Sequence, residues 1–124
     1  MFGMKDSESA NPFSSSATTL IAEGTEVEGD LNFKGNLEIQ GSVTGNILSD
    51  DEGARVRILQ GGSIQGEVWV SHVVVNGNVK GDIFASKQVK LASKAVVEGN
   101  IHYNLIEIER GAEVVGSFVH EQPQ

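Results

Sequence analysis

The chain has 124 residues, a formal net charge of -8 and no cysteine. The acidic balance argues against non-specific binding to nucleic acid, which needs a basic protein face, and the lack of cysteine excludes disulfides and thiolate metal sites. Glycine is frequent, with 15 residues against two prolines, and it follows no strict Gly-X-Y period, which favours a turn-rich all-β chain over collagen.

The first 19 residues carry five Ser, with Ala, Asn and Pro, and show no hydrophobic periodicity, which predicts a flexible tail. No apolar run in the chain approaches the roughly 18 residues needed to cross a bilayer. The opening Met1-Phe2-Gly3-Met4-Lys5 is not followed by the apolar core of a signal peptide. We therefore expect a cytoplasmic protein with one ordered domain at residues 20–120 and a short tail at residues 121–124.

The ordered region repeats one short unit. In each copy a glycine stands two places after an aliphatic residue and before a small or polar residue, as in Val79-Lys80-Gly81-Asp82-Ile83. This landmark glycine recurs every 15 to 21 residues, at Gly29, Gly45, Gly66, Gly81, Gly99 and Gly116. A fixed unit repeated at such intervals is typical of a solenoid.

Short alternating apolar runs lie between the turns, as in Leu37-Glu38-Ile39 and Val89-Lys90-Leu91. Alternation is the pattern of a β-strand, and no window shows sustained helical spacing. Aligning the copies gives columns of side chains that point inward, one of which contains Leu31, Ile47, Val68, Ile83, Ile101 and Phe118. Three strands in about 17 residues are too short for an antiparallel sandwich, so the pattern predicts a single-domain parallel β-helix of about six windings.

The two ends of this solenoid have no evident cap. The chain shows no terminal helix or inward charge that would cover the outermost strands, and unpaired strand edges beside apolar side chains are templates for another subunit. We therefore predict a polymerisation interface at the two ends, formed by Leu20, Ile21, Val27, Val114, Phe118 and Val119. Phe118 stands last in its inward column, so we expect it to pack across the junction between subunits.

Outward positions predict contacts between windings. In the middle strand Arg57 is expected beside Glu38, and Lys90 beside Glu107. After the landmark glycine, three apolar residues stack in successive windings, which predicts a lateral or partner-binding surface of Leu48, Trp69 and Phe84. The alternative is that the inserted loop Ser49–Arg55, or a terminal tail, covers them.

Catalytic and metal-binding patterns are not evident. The acidic run Asp50-Asp51-Glu52-Gly53 lacks the spaced ligands of a calcium loop, and the three histidines are far apart in sequence. No Ser/His/Asp or paired-carboxylate arrangement is readable. We expect a protein without enzymatic activity and without a cofactor.

The repeated unit resembles the bactofilins, a family of bacterial polymer-forming cytoskeletal proteins, over residues 20–119. The resemblance implies a right-handed β-helix that assembles end to end into non-polar filaments without nucleotide. It also implies a scaffold at the inner membrane that positions cell-shape or cell-wall enzymes. The opening residues Met1, Phe2, Met4 and Lys5 are similar to the membrane-targeting element of the family. The inserted loop and the Ser93-Lys94 corner, where a glycine is usual, depart from the pattern.

Two other functions remain open from the residues. Leu31, Leu37 and Val43 are six residues apart, as in the left-handed β-helix of hexapeptide acyltransferases. Elsewhere the six-residue spacing is not kept, because the windings vary in length. The third interpretation is a monomeric β-solenoid adaptor that uses its sides and not its ends.

Overall fold

The computed structural model describes residues 17–121, and every regular element in this range is a β-strand. The strands are β1 (Thr18–Ile21), β2 (Glu26–Glu28), β3 (Leu31–Asn32), β4 (Asn36–Ile39), β5 (Ser42–Thr44), β6 (Ile47–Leu48), β7 (Arg55–Ile58), β8 (Ser63–Gln65), β9 (Val68–Trp69), β10 (His72–Val75), β11 (Asn78–Lys80), β12 (Ile83–Phe84), β13 (Gln88–Leu91), β14 (Val96–Glu98), β15 (Ile101–Tyr103), β16 (Leu105–Ile108), β17 (Glu113–Val115) and β18 (Phe118–His120).

The strands form three parallel sheets, each with one strand from every winding. The first sheet has the order β1-β4-β7-β10-β13-β16, the second β2-β5-β8-β11-β14-β17, and the third β3-β6-β9-β12-β15-β18. Each winding therefore passes once through all three sheets before the next one begins. This arrangement confirms the predicted all-β solenoid of six windings.

Apolar side chains fill the space between the three sheets. Ile39, Ile58 and Ile83 are completely buried, and they belong to one cluster that runs through the middle windings. The predicted inward columns match the strand register, as shown by the pairing of Ile83 with Val68 on one side and with Ile101 on the other. The strand β1 begins at Thr18, which pairs with Asn36 of β4.

From the second winding on, each landmark glycine lies against the backbone of the glycine in the winding before it. Gly66 and Gly81 have φ angles of 150° and 145°, a region that side-chain-bearing residues rarely adopt. A Cβ atom on Gly81 would also overlap the carbonyl oxygen of Gly66. The repeat therefore requires glycine here for two reasons, backbone conformation and space.

The residue after the landmark glycine links neighbouring windings. The Asn46 amide donates to Oδ1 of Asp30 at 2.9 Å, and the Glu67 amide donates to Oδ1 of Asn46 at 2.9 Å. The same contact recurs further along, where the Asn100 amide donates to Oδ1 of Asp82 at 2.8 Å. Since the corner amides cannot all pair within a sheet, these side chains satisfy them and help to fix the register.

The inserted loop is anchored to its neighbours through Asp51. Oδ2 of Asp51 accepts from the Gly35 amide at 3.2 Å, and Oδ1 accepts from the Gly53 amide at 3.0 Å. The Ser71 hydroxyl donates to the Asp51 carbonyl at 3.2 Å, and Ala54 is completely buried. The loop therefore joins three windings.

One of the two predicted charge contacts differs in the structure. Arg57 lies 3.4 Å from Glu38, as the sequence predicts. Lys90 pairs in register with Glu107, but its ammonium contacts Glu109 at 3.7 Å instead. Both contacts are exposed, and such pairs contribute only about 0–1 kcal/mol to stability.

Candidate assembly surfaces

The amino-terminal end of the solenoid exposes part of its interior. Its strands β1, β2 and β3 pair, within residues 17–121, only with β4, β5 and β6. Ile21 is buried, while Val27, Leu31 and Phe33 are partly buried and pack against the core. Within the described part of the chain these side chains have a winding on one side only, so this end presents an apolar cross-section beside strand edges without a partner there.

The carboxyl-terminal end is more exposed. Phe118 lies directly above Ile101 in its inward column and is 46% exposed, although its counterparts in the middle windings are completely buried. Ile108 is 51% exposed for the same reason, and Ile106 and Val114 are partly buried. An apolar cross-section of this kind is typical of a surface that is covered in an assembly.

The structure divides the six predicted interface residues into two groups. Ile21, Val27, Val114 and Phe118 lie in inward columns at the two ends. Leu20 and Val119 do not, because adjacent residues of a strand point to opposite faces. Leu20 is in register with Glu38 and Val119 with His102, so both lie on outer faces of the edge strands. Both therefore lie outside the apolar cross-section, and their part in an assembly interface stays a prediction.

The sequence interpretation also missed four residues of the end surfaces. Leu31 and Phe33 belong to the amino-terminal end, and Ile106 and Ile108 to the carboxyl-terminal end. The signal that identifies them is their position as the first or last member of an inward column.

The three residues of the predicted lateral surface form part of a longer stack. We call this stack the aromatic stripe and define it as Leu48, Trp69, Phe84 and His102. The four residues are in register on β6, β9, β12 and β15. The rings of Trp69 and Phe84 are stacked with centroids 3.8 Å apart, and those of Phe84 and His102 with centroids 4.4 Å apart. The stripe therefore continues one winding further than the sequence analysis proposed.

The aromatic stripe remains open to solvent at Trp69. This side chain is 44% exposed, and its indole nitrogen donates to Oε1 of Glu67 at 2.9 Å. A depression of about 660 Å³ lies beside it, lined in part by Phe33, Leu48 and Asp50. The inserted loop borders this depression and leaves Trp69 exposed, and most of the amino-terminal tail named in the covering alternative lies outside the described residues.

Other predicted features are not visible or not clustered. Met1, Phe2, Met4 and Lys5 lie outside the described residues. Within the described part of the chain, no group of three or more His, Asp or Glu side chains is arranged to hold a metal ion. In the same range no helix is long and apolar enough to cross a membrane.

Comparison with known proteins gives consistent results. A family model described as bactofilin, polymer-forming cytoskeletal, matches residues 19–119. Bactofilin BacO of Myxococcus xanthus is 29% identical over 101 residues, which are 82% of this chain and 78% of BacO. The solid-state NMR structure of the cytoskeletal bactofilin BacA superposes with a TM-score of 0.75 and 29% identity, covering 86% of this chain and 98% of BacA. With the stacked parallel windings and the glycine repeat, these matches show that the chain belongs to the bactofilin family of polymer-forming cytoskeletal proteins.

Proposed function

We propose that the solenoid is right-handed and assembles end to end into filaments that need no nucleotide. The observation that carries this proposal is the exposure of apolar inward columns at both ends, above all Phe118 and Ile108. A second subunit placed on either end would continue the columns and pair the edge strands. Both contributions are favourable, because burial of apolar surface and ladder hydrogen bonds stabilise a parallel stack.

We further propose that the filaments lie in the cytoplasm at the inner face of the membrane. In this proposal Met1, Phe2, Met4 and Lys5 contact the bilayer. Burial of one such apolar side chain contributes only about 1.5–3 kcal/mol, so a single tail binds weakly. A filament that carries many tails binds by avidity, which couples membrane attachment to assembly.

The filament then acts as a scaffold that positions cell-shape or cell-wall enzymes. Its sides repeat at every subunit, so a client that binds one subunit finds an array of equivalent sites along the filament. The aromatic stripe is our candidate for this contact or for lateral bundling, because Trp69 is both exposed and held in a fixed orientation by Phe84 and Glu67.

Negative-stain electron microscopy of purified protein without nucleotide tests the assembly directly. The proposal expects filaments, and size-exclusion chromatography should place the protein in the void volume. A trimer would instead indicate the acyltransferase-like alternative, and a monomer at high concentration the adaptor. Either of these results would refute end-to-end assembly.

A further inference from the structure

The outer face of the first sheet carries a group of basic side chains at its centre. Three adjacent strands, β7, β10 and β13, place two rows of residues side by side. The first row is Arg55, His72 and Gln88, and the second row is Arg57, Val74 and Lys90. Since neighbouring strands are about 4.8 Å apart, the two rows bring these side chains into a patch of roughly 7 by 10 Å.

A groove runs through this patch because Val74 is short and its neighbours are long. The side chains of Arg57 and Lys90 rise on either side of Val74, which leaves a depression of about 360 Å³. Its lining includes the two rows just named and the carboxylate of Glu107. The register alone therefore produces a recess surrounded by hydrogen-bond donors.

The charge of the groove is opposite to that of the chain. Three cationic side chains line it against one carboxylate, that of Glu107, although the whole chain has a net charge of -8. Arg57 and Lys90 also contact carboxylates, Glu38 and Glu109, that are not among the lining residues. Arg55 forms no ion pair with a carboxylate in residues 17–121.

His72 adds one more donor to this group. Its Nδ1 atom is buried and has no hydrogen-bond partner among the described residues. A buried N–H without an acceptor is rare and costly, so the ring hydrogen of the neutral tautomer belongs on Nε2. Gln88 contributes an amide in the same row, and the groove thus combines charged and neutral donors.

We propose that this groove binds an oxyanion of the phosphate type. A guanidinium presents parallel N–H groups that match two oxygens of one phosphate, and Arg55 has these groups available. The opposite wall supplies the Lys90 ammonium, so an anion in the recess contacts cations from two strands. The same chemistry recognises a soluble phosphate compound and the phosphate of a lipid headgroup.

The test is a titration of the full chain with inorganic pyrophosphate, followed by isothermal titration calorimetry. Arg55→Gln should weaken pyrophosphate binding by about tenfold or more, since a hydrogen bond between charged groups is lost. The matched control is Lys80→Gln, which removes one exposed cation from the second sheet. Circular dichroism should be unchanged in both variants, because both side chains lie on exposed outer positions.

Two results would overturn the proposal: no pyrophosphate binding by the unaltered chain, or equal weakening by Lys80→Gln. Flotation with vesicles of phosphatidylglycerol or phosphatidylcholine then separates the two sources of phosphate. If Arg55→Gln reduces flotation with phosphatidylglycerol vesicles but not with phosphatidylcholine vesicles, the ligand is a lipid headgroup. If flotation is unchanged while pyrophosphate binding falls, the ligand is a soluble phosphate compound. Filament formation is scored separately, so failure here leaves end-to-end assembly untouched.

Discussion

The indole ring of Trp69 stacks on the phenyl ring of Phe84, with an angle of 12° between the planes. The two residues are 15 apart in sequence but directly paired on adjacent strands. This relationship shows how a β-solenoid turns an approximate sequence repeat into a continuous row of side chains on its surface. Side chains at equivalent positions meet because each winding returns to the same place, and the contact then fixes their orientation.

We expect Phe118→Arg to convert filaments into monomers with unchanged β-structure. The side chain lies in the inward column at the carboxyl-terminal end, and an unpaired charge buried in a junction costs about 3–5 kcal/mol. The concentration needed for assembly should rise roughly 100-fold or more. Sedimentation and negative-stain microscopy measure this, with circular dichroism as the check on folding.

Val115→Arg is the matched control for this variant. Val115 lies on an edge strand of the same end and is 70% exposed, but it is in register with the outward Glu98 and so points away from the interior. It should keep the filaments. Persistence of filaments in Phe118→Arg, or their equal loss in both variants, would contradict a junction built on the inward column.

Trp69→Glu should leave filaments intact and abolish lateral bundling or client capture. The ring is 44% exposed, so its replacement removes a surface contact and little core packing. Loss of the stacking with Phe84 costs about 0.5–1.5 kcal/mol, which lowers the melting temperature by only a few degrees. Bundle width in electron micrographs is the measurement. Unaltered bundles with a large drop in thermal stability would show that the stripe serves the fold instead.

Gly81→Ala should destabilise the solenoid strongly. A methyl group here overlaps the Gly66 carbonyl, and the φ angle of 145° is unfavourable for alanine. We expect a loss of about 3 kcal/mol or more in the free energy of unfolding. Gly53→Ala is the control, because the nearest atom to its added Cβ would be Oδ1 of Asp51 at 3.7 Å. Urea unfolding at one protein concentration compares the two, since assembly itself raises apparent stability.

Phe2→Ala should reduce the fraction of filaments that floats with lipid vesicles. The membrane contact of each tail is weak, and removal of the Phe2 side chain weakens every tail in the array by about 1.5–3 kcal/mol. Phe13→Ala, which removes the same side chain further from the amino terminus, is the control and should float normally. Membrane binding that survives in Phe2→Ala would argue against the role of this residue. Equal loss in Phe13→Ala would argue for general hydrophobicity of the tail.

Much of the fold was predictable from the sequence, because the two patterns that determine it, alternation and the landmark glycine, each lie within a few consecutive residues. Strict alternation assigns inward and outward faces, as in Leu37-Glu38-Ile39, and the landmark glycine marks the point where each winding must approach the previous one. Ile47 and Ile83, both in the predicted inward column, therefore lie in the core as predicted. The family resemblance rested on the same unit and was confirmed by the match over residues 19–119.

The tertiary structure alone decided which outward side chains meet. Lys90 contacts Glu109 although Glu107 is its partner in register, because its long side chain can reach a carboxylate two residues further along the neighbouring winding. The stripe extends to His102, and Asp51 joins three windings, because loop length and rotamers bring those atoms together. The alternating pattern fixes the direction of each side chain, while the final contact depends on how windings of unequal length stack.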